Sequence, residues 1–324
     1  MISKEFVKEN LGNVLKEAYF EELPNYYKGK VRENYDLDDK KRILIATDRQ
    51  SAFDVILTEV PFKGQVLTEI SKFWFEQTKD IIKNHVIDFP DPNVAIVKKA
   101  KVLPVEIVIR GYLTGTTTTS AWWHYQNNNR IICGLEMPEG MKKNEKFAEP
   151  IITPTTKDFS GGHDVPISRE EIISQGIISE EKWEKIEEVA FKLFERGTQI
   201  ASENGLILVD TKYEMGEDEN GEIILVDEVH TPDSSRFWIR DSYEERLNQG
   251  EEPESLDKEF LRLFLANNGF TGEGEVPEIP EEKLIEFSLK YIALYEKVTG
   301  KEFVPPSLDE PIKERIRKNL SEFF

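Results

Sequence analysis

Residues 206–229 read LILVDTKYEMGEDENGEIILVDEV, and this stretch determines the centre of the predicted fold. Two apolar runs, Leu206–Met215 and Glu222–Val229, have the composition of β-strands. Between them lies a polar turn with glycine at both ends, Gly216 to Gly221. Such a turn between two apolar runs predicts a β-hairpin.

The hairpin also gathers charged side chains. Asp210, Lys212 and Glu214 alternate along the first strand, so they lie on one face of it. Folding about the turn brings Asp227 and Glu228 of the return strand close to Glu214. Because facing carboxylates repel each other, their grouping indicates a cation, and oxygen ligands of this kind suit Mg²⁺ bound to nucleotide phosphates. The alternative is an exposed acidic hairpin, but the adjoining apolar runs favour partly buried strands, where unpaired carboxylates are costly.

Other elements lie on both sides of the hairpin. Arg42 to Thr47 is predicted to be a buried strand, and Gln65 to Lys83 an amphipathic helix. Strands are expected at Ala95 to Val102 and at Val105 to Ile109. Glu180 to Glu203 carries apolar residues every three or four positions, which predicts a helix.

The chain is long enough for more than one lobe. With 324 residues it exceeds a single minimal core. We expect a β-rich N-terminal lobe with a phosphate loop (residues 1–110), a central α+β lobe with the hairpin and the substrate site (residues 111–250), and a helical C-terminal segment (residues 251–324). Ser168 and Glu171 have the spacing of a capping box, and residues 271–280 form a linker.

Composition and charge exclude several classes of protein. The net charge of −20 disfavours nucleic acid and anionic membranes as partners, because like charges repel. The single cysteine, Cys133, excludes an internal disulfide and a cysteine metal cluster. The N-terminus does not resemble a signal peptide, and no apolar stretch approaches the roughly 20 residues of a membrane helix. We therefore expect a cytoplasmic protein.

A basic loop is the first candidate site outside the hairpin. Lys28, Lys30 and Arg32 surround Gly29 in a predicted hairpin loop. Backbone N–H groups beside glycine, together with lysine, can bind phosphates, although this is not the P-loop pattern. The alternative is a solvated basic turn.

Two arginine-containing segments are candidates for anion binding. Arg236 follows Asp233, Ser234 and Ser235 after the hairpin, and its planar guanidinium can hold a phosphate or carboxylate through two hydrogen bonds. A Pro-Asp turn that closes the hairpin is the alternative. Arg110 ends a predicted buried strand and precedes glycines and threonines; there the alternative is a structural arginine–glutamate pair.

Two polar loops complete the candidates. The segment from Asp48 to Asp54, which includes Ser51, directly follows a predicted strand, where functional loops are common. Lys157, His163 and Asp164 lie in a second loop, for which a plain surface loop is the alternative. The four histidines are scattered, which argues against a zinc site.

Taken together and in order, these segments resemble the SAICAR synthetase (phosphoribosylaminoimidazole-succinocarboxamide synthase) family. The motifs are GKVRENY, ATDRQSAFDVIL, LPVEIVIRGYLTGT, EPIITPTTK with GHDVPIS, LILVDTKYEMG and DEVHTPDSSRFW. The resemblance runs from about Gly29 to the C-terminal helices and favours the longer branch of the family. It implies an α+β fold whose two lobes enclose ATP, distantly similar to kinases and ATP-grasp proteins, with C-terminal helices.

The resemblance also implies a reaction and a set of residues. ATP and Mg²⁺ would drive the joining of L-aspartate to 5-amino-1-(5-phosphoribosyl)imidazole-4-carboxylate, with ADP and phosphate as by-products. The implied nucleotide residues, of which Lys30 and Lys212 would act in catalysis, are Lys30, Arg32, Lys101, Val102, Leu103 and Lys212. The implied magnesium ligands are Glu214 and Asp227. The implied substrate residues are Arg110, Thr116, Ser120, Asp233, Ser234, Arg236, Asp48, Ser51, Asp54, Lys157, His163 and Asp164.

Two points stay open at this stage. The chain has Gly115-Thr116 where the family often has Gly-Ser, so either Thr116 or Ser120 could supply the substrate hydroxyl. Two other functions also remain: a small-molecule kinase, which would release ADP without aspartate, and a catalytically silent nucleotide-binding protein. The presence of Lys212, Glu214 and Asp227 argues against the silent protein.

Overall fold

The structure, a computed structural model, describes residues 2–53, 55–157 and 164–324. The first part of the chain forms α1 (Lys4–Glu9), β1 (Tyr26–Lys28), β2 (Arg32–Asp36), β3 (Lys41–Ala46), β4 (Arg49–Ala52), β5 (Val55–Glu59), α2 (Lys63–Thr78), β6 (Val86–Asp91) and β7 (Val94–Lys98). The middle forms β8 (Lys101–Val102), β9 (Val105–Tyr112), α3 (Ala121–Gln126), β10 (Ile131–Ile132), β11 (Leu135–Glu136), β12 (Lys146–Ile152), β13 (Thr155–Thr156), α4 (Arg169–Ser174) and α5 (Glu180–Glu203). The remainder forms β14 (Leu206–Glu217), β15 (Ile223–Val226), β16 (Ser235–Ile239), α6 (Arg240–Gln249), α7 (Glu259–Asn267), α8 (Glu281–Thr299), α9 (Ile312–Asn319) and a 3-10 turn (Ser321–Phe323).

The N-terminal strands form an antiparallel sheet in the order β1-β2-β3-β7-β6, while β4 and β5 pair separately. The predicted buried strand is confirmed as β3. The predicted helix is confirmed as α2, but it ends at Thr78 and not at Lys83. The reason is a turn after Thr78, whose carbonyl accepts the N–H groups of Ile81 and Ile82.

A second sheet contains the predicted hairpin. Its order is β12-β9-β14-β15, and β14 also pairs with β16 and β8. The hairpin is confirmed, with two shifts in its bounds: β14 continues through Glu217, and β15 ends at Val226. The turn therefore spans residues 218–222, where Asp218 and Glu222 are joined by a backbone hydrogen bond. Asp227 and Glu228, which we expected in the return strand, follow its end.

Helix α5 packs against β14, and its predicted bounds are confirmed. Its buried face includes Trp183, Leu193 and Gly197. A Cβ atom at Gly197 would collide with the His230 ring, so glycine here allows close approach. The predicted capping box of Ser168 and Glu171 is also present.

The predicted division into lobes differs from the observed packing. The N-terminal sheet ends at Lys98, and β9 pairs with β14 in the second sheet, so a boundary at residue 110 would cut through β9. The C-terminal helices do not stand apart. α8 contacts α1 and α2, while Ile316 and Leu320 join the core beneath the N-terminal sheet. Within the described residues, we find no helix with the length and apolar character needed to cross a membrane.

Candidate active site

The site is built on one face of β14. Asp210 and Lys212 on this strand line a cavity of about 200 Å³. Register with β9 places Asp210 opposite Arg110 and Lys212 opposite Val108, and both Arg110 and Val108 also line the cavity. Because side chains alternate along a strand, Asp210 and Lys212 lie on the same face of β14, as the sequence predicted.

Lys212 lies between two carboxylates. Its ammonium group is 2.6 Å from Glu106 Oε1 and 2.6 Å from Glu214 Oε1. Lys157 forms an ion pair with the other oxygen of Glu214. Burial alone would raise the pKa of Glu214, but the charges of Lys212 and Lys157 outweigh it and lower that pKa to about 2. Burial likewise opposes the charge on Lys212, yet Glu214 and Glu106 raise its pKa well above the usual value. Glu214 and Lys212 are therefore both ionised at neutral pH.

Asp227 and Glu228 meet the N-terminal sheet. The backbone of Asp227 is left-handed, with φ of 65°, which turns the chain out of the hairpin directly after β15. Arg32 on β2 pairs with Asp227 and, at 2.6 Å, with Glu228. Burial would lower the pKa of Arg32, but these two carboxylates raise it. The predicted phosphate loop and the predicted metal hairpin are thus joined across the two sheets.

In the structure both predicted magnesium ligands are paired with basic side chains, Glu214 with Lys212 and Lys157, and Asp227 with Arg32. Glu214 pairs in register with Val226, the residue before Asp227. Among the described residues, no group of three or more His, Cys, Asp or Glu side chains could hold a metal. Magnesium commonly takes only one or two protein carboxylates and completes its shell with water and phosphate, so a pair fits this chemistry.

The basic loop from Gly29 to Val31 is a hairpin loop between β1 and β2, as predicted. Buried Arg49 fixes its backbone. The guanidinium donates to the carbonyl oxygens of Gly29 at 3.0 Å and of Lys30 at 2.9 Å. The loop that carries Lys30 is therefore held in one shape, which suits a group that must meet a phosphate.

The predicted hinge, Lys101 to Leu103, is the connection between the two sheets. Lys101 and Val102 pair with β14 opposite Glu217 and Gly216. The N–H of Leu103 donates to Met215 O at 2.8 Å. The segment therefore joins the sheets at the far end of the strand that carries Lys212.

Two arginines share one aspartate at the cavity. Arg236 is 2.6 Å from Asp210 Oδ2, and Arg110 is 3.6 Å from the same oxygen. Arg236 also pairs with Glu259 at 3.2 Å. Burial opposes the charge of Arg236, but Asp210 and Glu259 outweigh it and raise the pKa of Arg236. For Arg110 the balance is the reverse: burial lowers its pKa, and Asp210 only partly opposes this. The two guanidinium groups therefore line the cavity beside a carboxylate that they share.

The two candidates for the substrate hydroxyl, Thr116 and Ser120, differ in whether they line the cavity. Ser120 lines the cavity, and its hydroxyl donates to Thr117 O at 2.6 Å. Thr116 does not line this cavity, and its hydroxyl donates to Glu259 at 2.9 Å. Ser234 lines the cavity, and its side chain accepts the Thr231 N–H at 3.2 Å. Of the two alternatives, this geometry favours Ser120.

Asp233 lies at the cavity with two donors on its carboxylate, Lys63 at 2.9 Å and Tyr291 at 2.6 Å. Burial would raise its pKa, but Lys63 and Lys258 hold that pKa well below the usual range. The Pro-Asp turn interpretation is also correct, because the N–H of Asp233 donates to Thr231 Oγ1 at 3.2 Å. The turn that contains Asp233 therefore also forms part of the cavity wall.

The structure places the residues of the two polar loops at different distances from the cavity. Asp48 is buried, and its oxygens accept the N–H groups of Leu15 at 2.6 Å and Gly64 at 2.8 Å, away from the cavity. The prediction that Asp48 contacts substrate is not supported by this geometry, because both oxygens serve the fold. Ser51 lies on β4 and Asp164 lines the cavity. Asp54 and His163 lie outside the described residues.

The sequence analysis missed three cavity residues at the start of α7. These are Asp257, Lys258 and Arg262. Burial lowers the pKa of Lys258 to about 8, and Arg262 adds to this effect. Burial raises the pKa of Asp257 to about 7. One signal was present: Lys258 and Arg262 are four residues apart, so they share a helix face.

Comparisons with known proteins show one family along most of the chain. The SAICAR synthetase family model matches residues 25–279. A phosphoribosylaminoimidazole-succinocarboxamide synthase of Legionella pneumophila is 50% identical over 299 residues, which are 92% of this chain and 95% of that protein. The SAICAR synthase of Saccharomyces cerevisiae, solved in complex with SAICAR, is 35% identical with a TM-score of 0.77, covering 90% of this chain and 100% of that one.

A solved SAICAR synthetase in complex with ADP is 28% identical with a TM-score of 0.66, covering 87% of this chain and 100% of that one. The predicted α+β fold is thereby confirmed. On sequence and structure alike, the chain belongs to the SAICAR synthetase family.

Proposed function

We propose that this chain is an ATP-dependent ligase that joins L-aspartate to 5-amino-1-(5-phosphoribosyl)imidazole-4-carboxylate, forming SAICAR, ADP and phosphate in purine synthesis. One observation supports this most directly. A single cavity brings together five cationic side chains, those of Lys212, Arg110, Arg236, Lys258 and Arg262. Five carboxylates line the same cavity, whereas the whole protein has a net charge of −20, so the cavity is locally enriched in cations and suits polyanionic small molecules.

The nucleotide end of the site would be the junction of the two sheets. Lys30 and Arg32 would contact phosphates from the N-terminal side, and Lys212 from β14. The hinge from Lys101 to Leu103 would border the adenine. Glu214 and Asp227 would hold Mg²⁺, which supplies charge neutralisation for the triphosphate when bound.

The other end would bind the imidazole substrate. Arg110 and Arg236 offer planar guanidinium groups that suit a phosphate or a carboxylate, and Ser120, Ser234 and Asp233 offer groups for hydroxyls. Lys258 and Arg262 add charge to this end. Thr116 would act indirectly, through Glu259, which it shares with Arg236. We leave Asp48 out, because it does not line the cavity and its carboxylate holds the backbone of Leu15 and Gly64.

Lys157, Asp164 and Ser51 are the candidates for the aspartate side, together with Asp54 and His163. Lys157 is the best supported of these, because it reaches Glu214 beside Lys212. Its position between the two ends would let it contact a carboxylate of the amino acid.

The chemistry requires activation of the imidazole carboxylate. A free carboxylate does not accept an amine at neutral pH, because oxide would have to leave. Transfer of the γ-phosphoryl group to the carboxylate would give an acyl phosphate. The aspartate amine would then attack the acyl carbon, phosphate would leave with the bonding electrons, and the amine would lose a proton. Lys30 and Lys212 would stabilise the transferring group, while the arginines hold the substrate in line.

The proposal includes a location and small-molecule partners. We propose the cytoplasm, with ATP, L-aspartate and the imidazole carboxylate as ligands and no nucleic acid or membrane partner.

The test is an assay with purified protein. ADP release is measured with ATP, Mg²⁺ and the imidazole carboxylate, with and without L-aspartate, while mass spectrometry follows SAICAR. We expect ADP and SAICAR in equal amounts only when all substrates are present. ADP release that is independent of aspartate, with a phosphorylated product, would instead identify a small-molecule kinase.

A further inference from the structure

The Asp233 carboxylate is held from two distant parts of the chain. Tyr291 on α8 donates its hydroxyl hydrogen to Oδ1 at 2.6 Å, and Lys63 on α2 donates to Oδ2 at 2.9 Å. Neither Tyr291 nor Lys63 lines the cavity, whereas Asp233 does. The two donors therefore reach the cavity by direct hydrogen bonds to Asp233.

Lys63 is fixed by the way α2 begins. Its side chain is wholly buried, and the N–H of the next residue, Gly64, donates to Asp48 at 2.8 Å. A Cβ at Gly64 would collide with the carbonyl oxygen of Ala46 and the side-chain amide of Asn93. The first turn of α2 thus lies directly against β3, and the ammonium group has little freedom to leave Asp233.

Tyr291 is fixed by the packing of α8. Its ring is buried and lies 4.5 Å from the ring of Phe287, measured between centroids. Ser288, one turn earlier on the same helix, donates to Pro61 O at 2.9 Å. Because Pro61 directly precedes the start of α2, this bond joins α8 to the segment that carries Lys63.

We propose that Tyr291 is a positioning residue of the ligase: with Lys63 it holds the Asp233 carboxylate in a single orientation, as an acceptor for N–H or O–H groups of the imidazole substrate. This inference rests on the proposed function. An ionised carboxylate accepts hydrogen bonds only, and the imidazole substrate offers an amino group and ribose hydroxyls. Its phosphate and carboxylate groups would be repelled, so Asp233 also selects which end of the substrate faces it.

The electrostatics agree with this role. Burial raises the pKa of Tyr291 well above its usual value, and the Asp233 charge raises it further. The hydroxyl therefore stays protonated and remains a donor. Helix α8 begins at Glu281, beyond the residues 25–279 that the family model matches. The C-terminal segment thus contributes to the site from outside that matched region.

The test compares two tyrosines on one helix. Tyr291→Phe removes the hydroxyl and keeps the ring, while Tyr295→Phe makes the same change one turn later at a buried tyrosine that packs against Phe303. Loss of one hydrogen bond to a charged group predicts that kcat/KM for the imidazole substrate falls about 10- to 100-fold in Tyr291→Phe. KM for ATP should change less than about twofold, and Tyr295→Phe should match the wild type for all substrates.

A double-mutant cycle separates positioning from general support of the fold. If Tyr291 acts through Asp233, adding Tyr291→Phe to Asp233→Asn should change kcat/KM less than about twofold. Should Asp233→Asn be too slow to assay, the same cycle is measured as the affinity for SAICAR by titration calorimetry. Additive losses, equal losses for ATP and the imidazole substrate, or equal effects of the two tyrosine variants would overturn the inference. A wild-type protein that forms no SAICAR would refute the proposed function itself, before any variant is compared.

Discussion

Asp227 is the residue on which the two halves of the site depend. It follows the end of β15 in a left-handed conformation and pairs with Arg32 of the N-terminal sheet. Its neighbour Glu228 also pairs with Arg32, so loss of one charge leaves the arginine with a partner. A variant at Asp227 can therefore separate function from stability.

We predict that Asp227→Asn lowers ADP release more than about 100-fold, because a neutral amide is a poor magnesium ligand. The free energy of unfolding should change by only about 1 kcal/mol. The rate of ADP release is measured over a range of Mg²⁺ concentrations, and the free energy of unfolding is measured by urea unfolding. Glu219→Gln, an exposed change in the turn of the same hairpin, serves as the control. Near-normal activity of Asp227→Asn at ordinary Mg²⁺ would rule out the metal role.

His230 makes the protein sensitive to acid. It is fully buried beside Tyr213, with Nε2 2.6 Å from the tyrosine hydroxyl, and burial lowers its pKa to about 3. In the unfolded chain a histidine takes up a proton near pH 6.5. Between these values the unfolded state binds more protons, so stability falls as pH falls from about 6.5 towards 3. Burial gives His85 the same direction of shift and a similar pKa of about 3.

Urea unfolding of the wild type and of His230→Gln at several pH values tests this expectation. The variant should show a shallower dependence between pH 6.5 and 4, since one group with different folded and unfolded pKa values is gone. Identical slopes in the two proteins would show that His230 takes up a proton without unfolding.

At the scale of elements, the start of α2 positions Lys63. Gly64→Ala should destabilise the protein by about 2 kcal/mol or more, because the new methyl group meets a backbone oxygen that cannot move aside. Gly12→Ala is the matched control, since a Cβ there has nothing within 4 Å. Thermal and urea unfolding measure both variants. Equal stability of the two would mean that α2 can shift away from β3 without cost.

The elements that the sequence predicted well are those with a simple periodicity. α5 has an apolar face repeated over 24 residues, and β14 alternates charged and apolar positions through the site. The end of β15 was missed because the left-handed turn at Asp227 involves no glycine. Lys258 and Arg262 were missed because a loop before α7 brings them to the cavity, and no local pattern encodes that path.

At the scale of the whole molecule, the C-terminal segment completes the N-terminal lobe. Ile316 on α9 is fully buried beneath the sheet that contains β3. Ile316→Ala should therefore lower the free energy of unfolding by about 2–5 kcal/mol. Val304→Ala, at a side chain that is 70% exposed, should change it by less than about 0.5 kcal/mol. Separate unfolding transitions for α9 and the N-terminal sheet would contradict the core that they share.

The division into lobes is where sequence reasoning went furthest from the structure. The linker at residues 271–280 suggested a third, helical part, but buried residues of α8 and α9 face strands and helices from the first hundred residues. Contacts between distant segments leave no local trace in a single sequence. The chemistry-bearing motifs were found nevertheless, because each lies at the end of, or along, an element whose period is visible.

The pairing of β9 with β14 has a consequence for synthesis on the ribosome. Residues 105–112 must wait for residues 206–217 before their hydrogen bonds with β14 can form. The nascent chain then still lacks α8 and α9, so the N-terminal sheet emerges with part of its apolar side uncovered. Chaperones that bind exposed apolar surface would have their longest opportunity here, and the site would be complete only after α8, which carries Tyr291, has emerged.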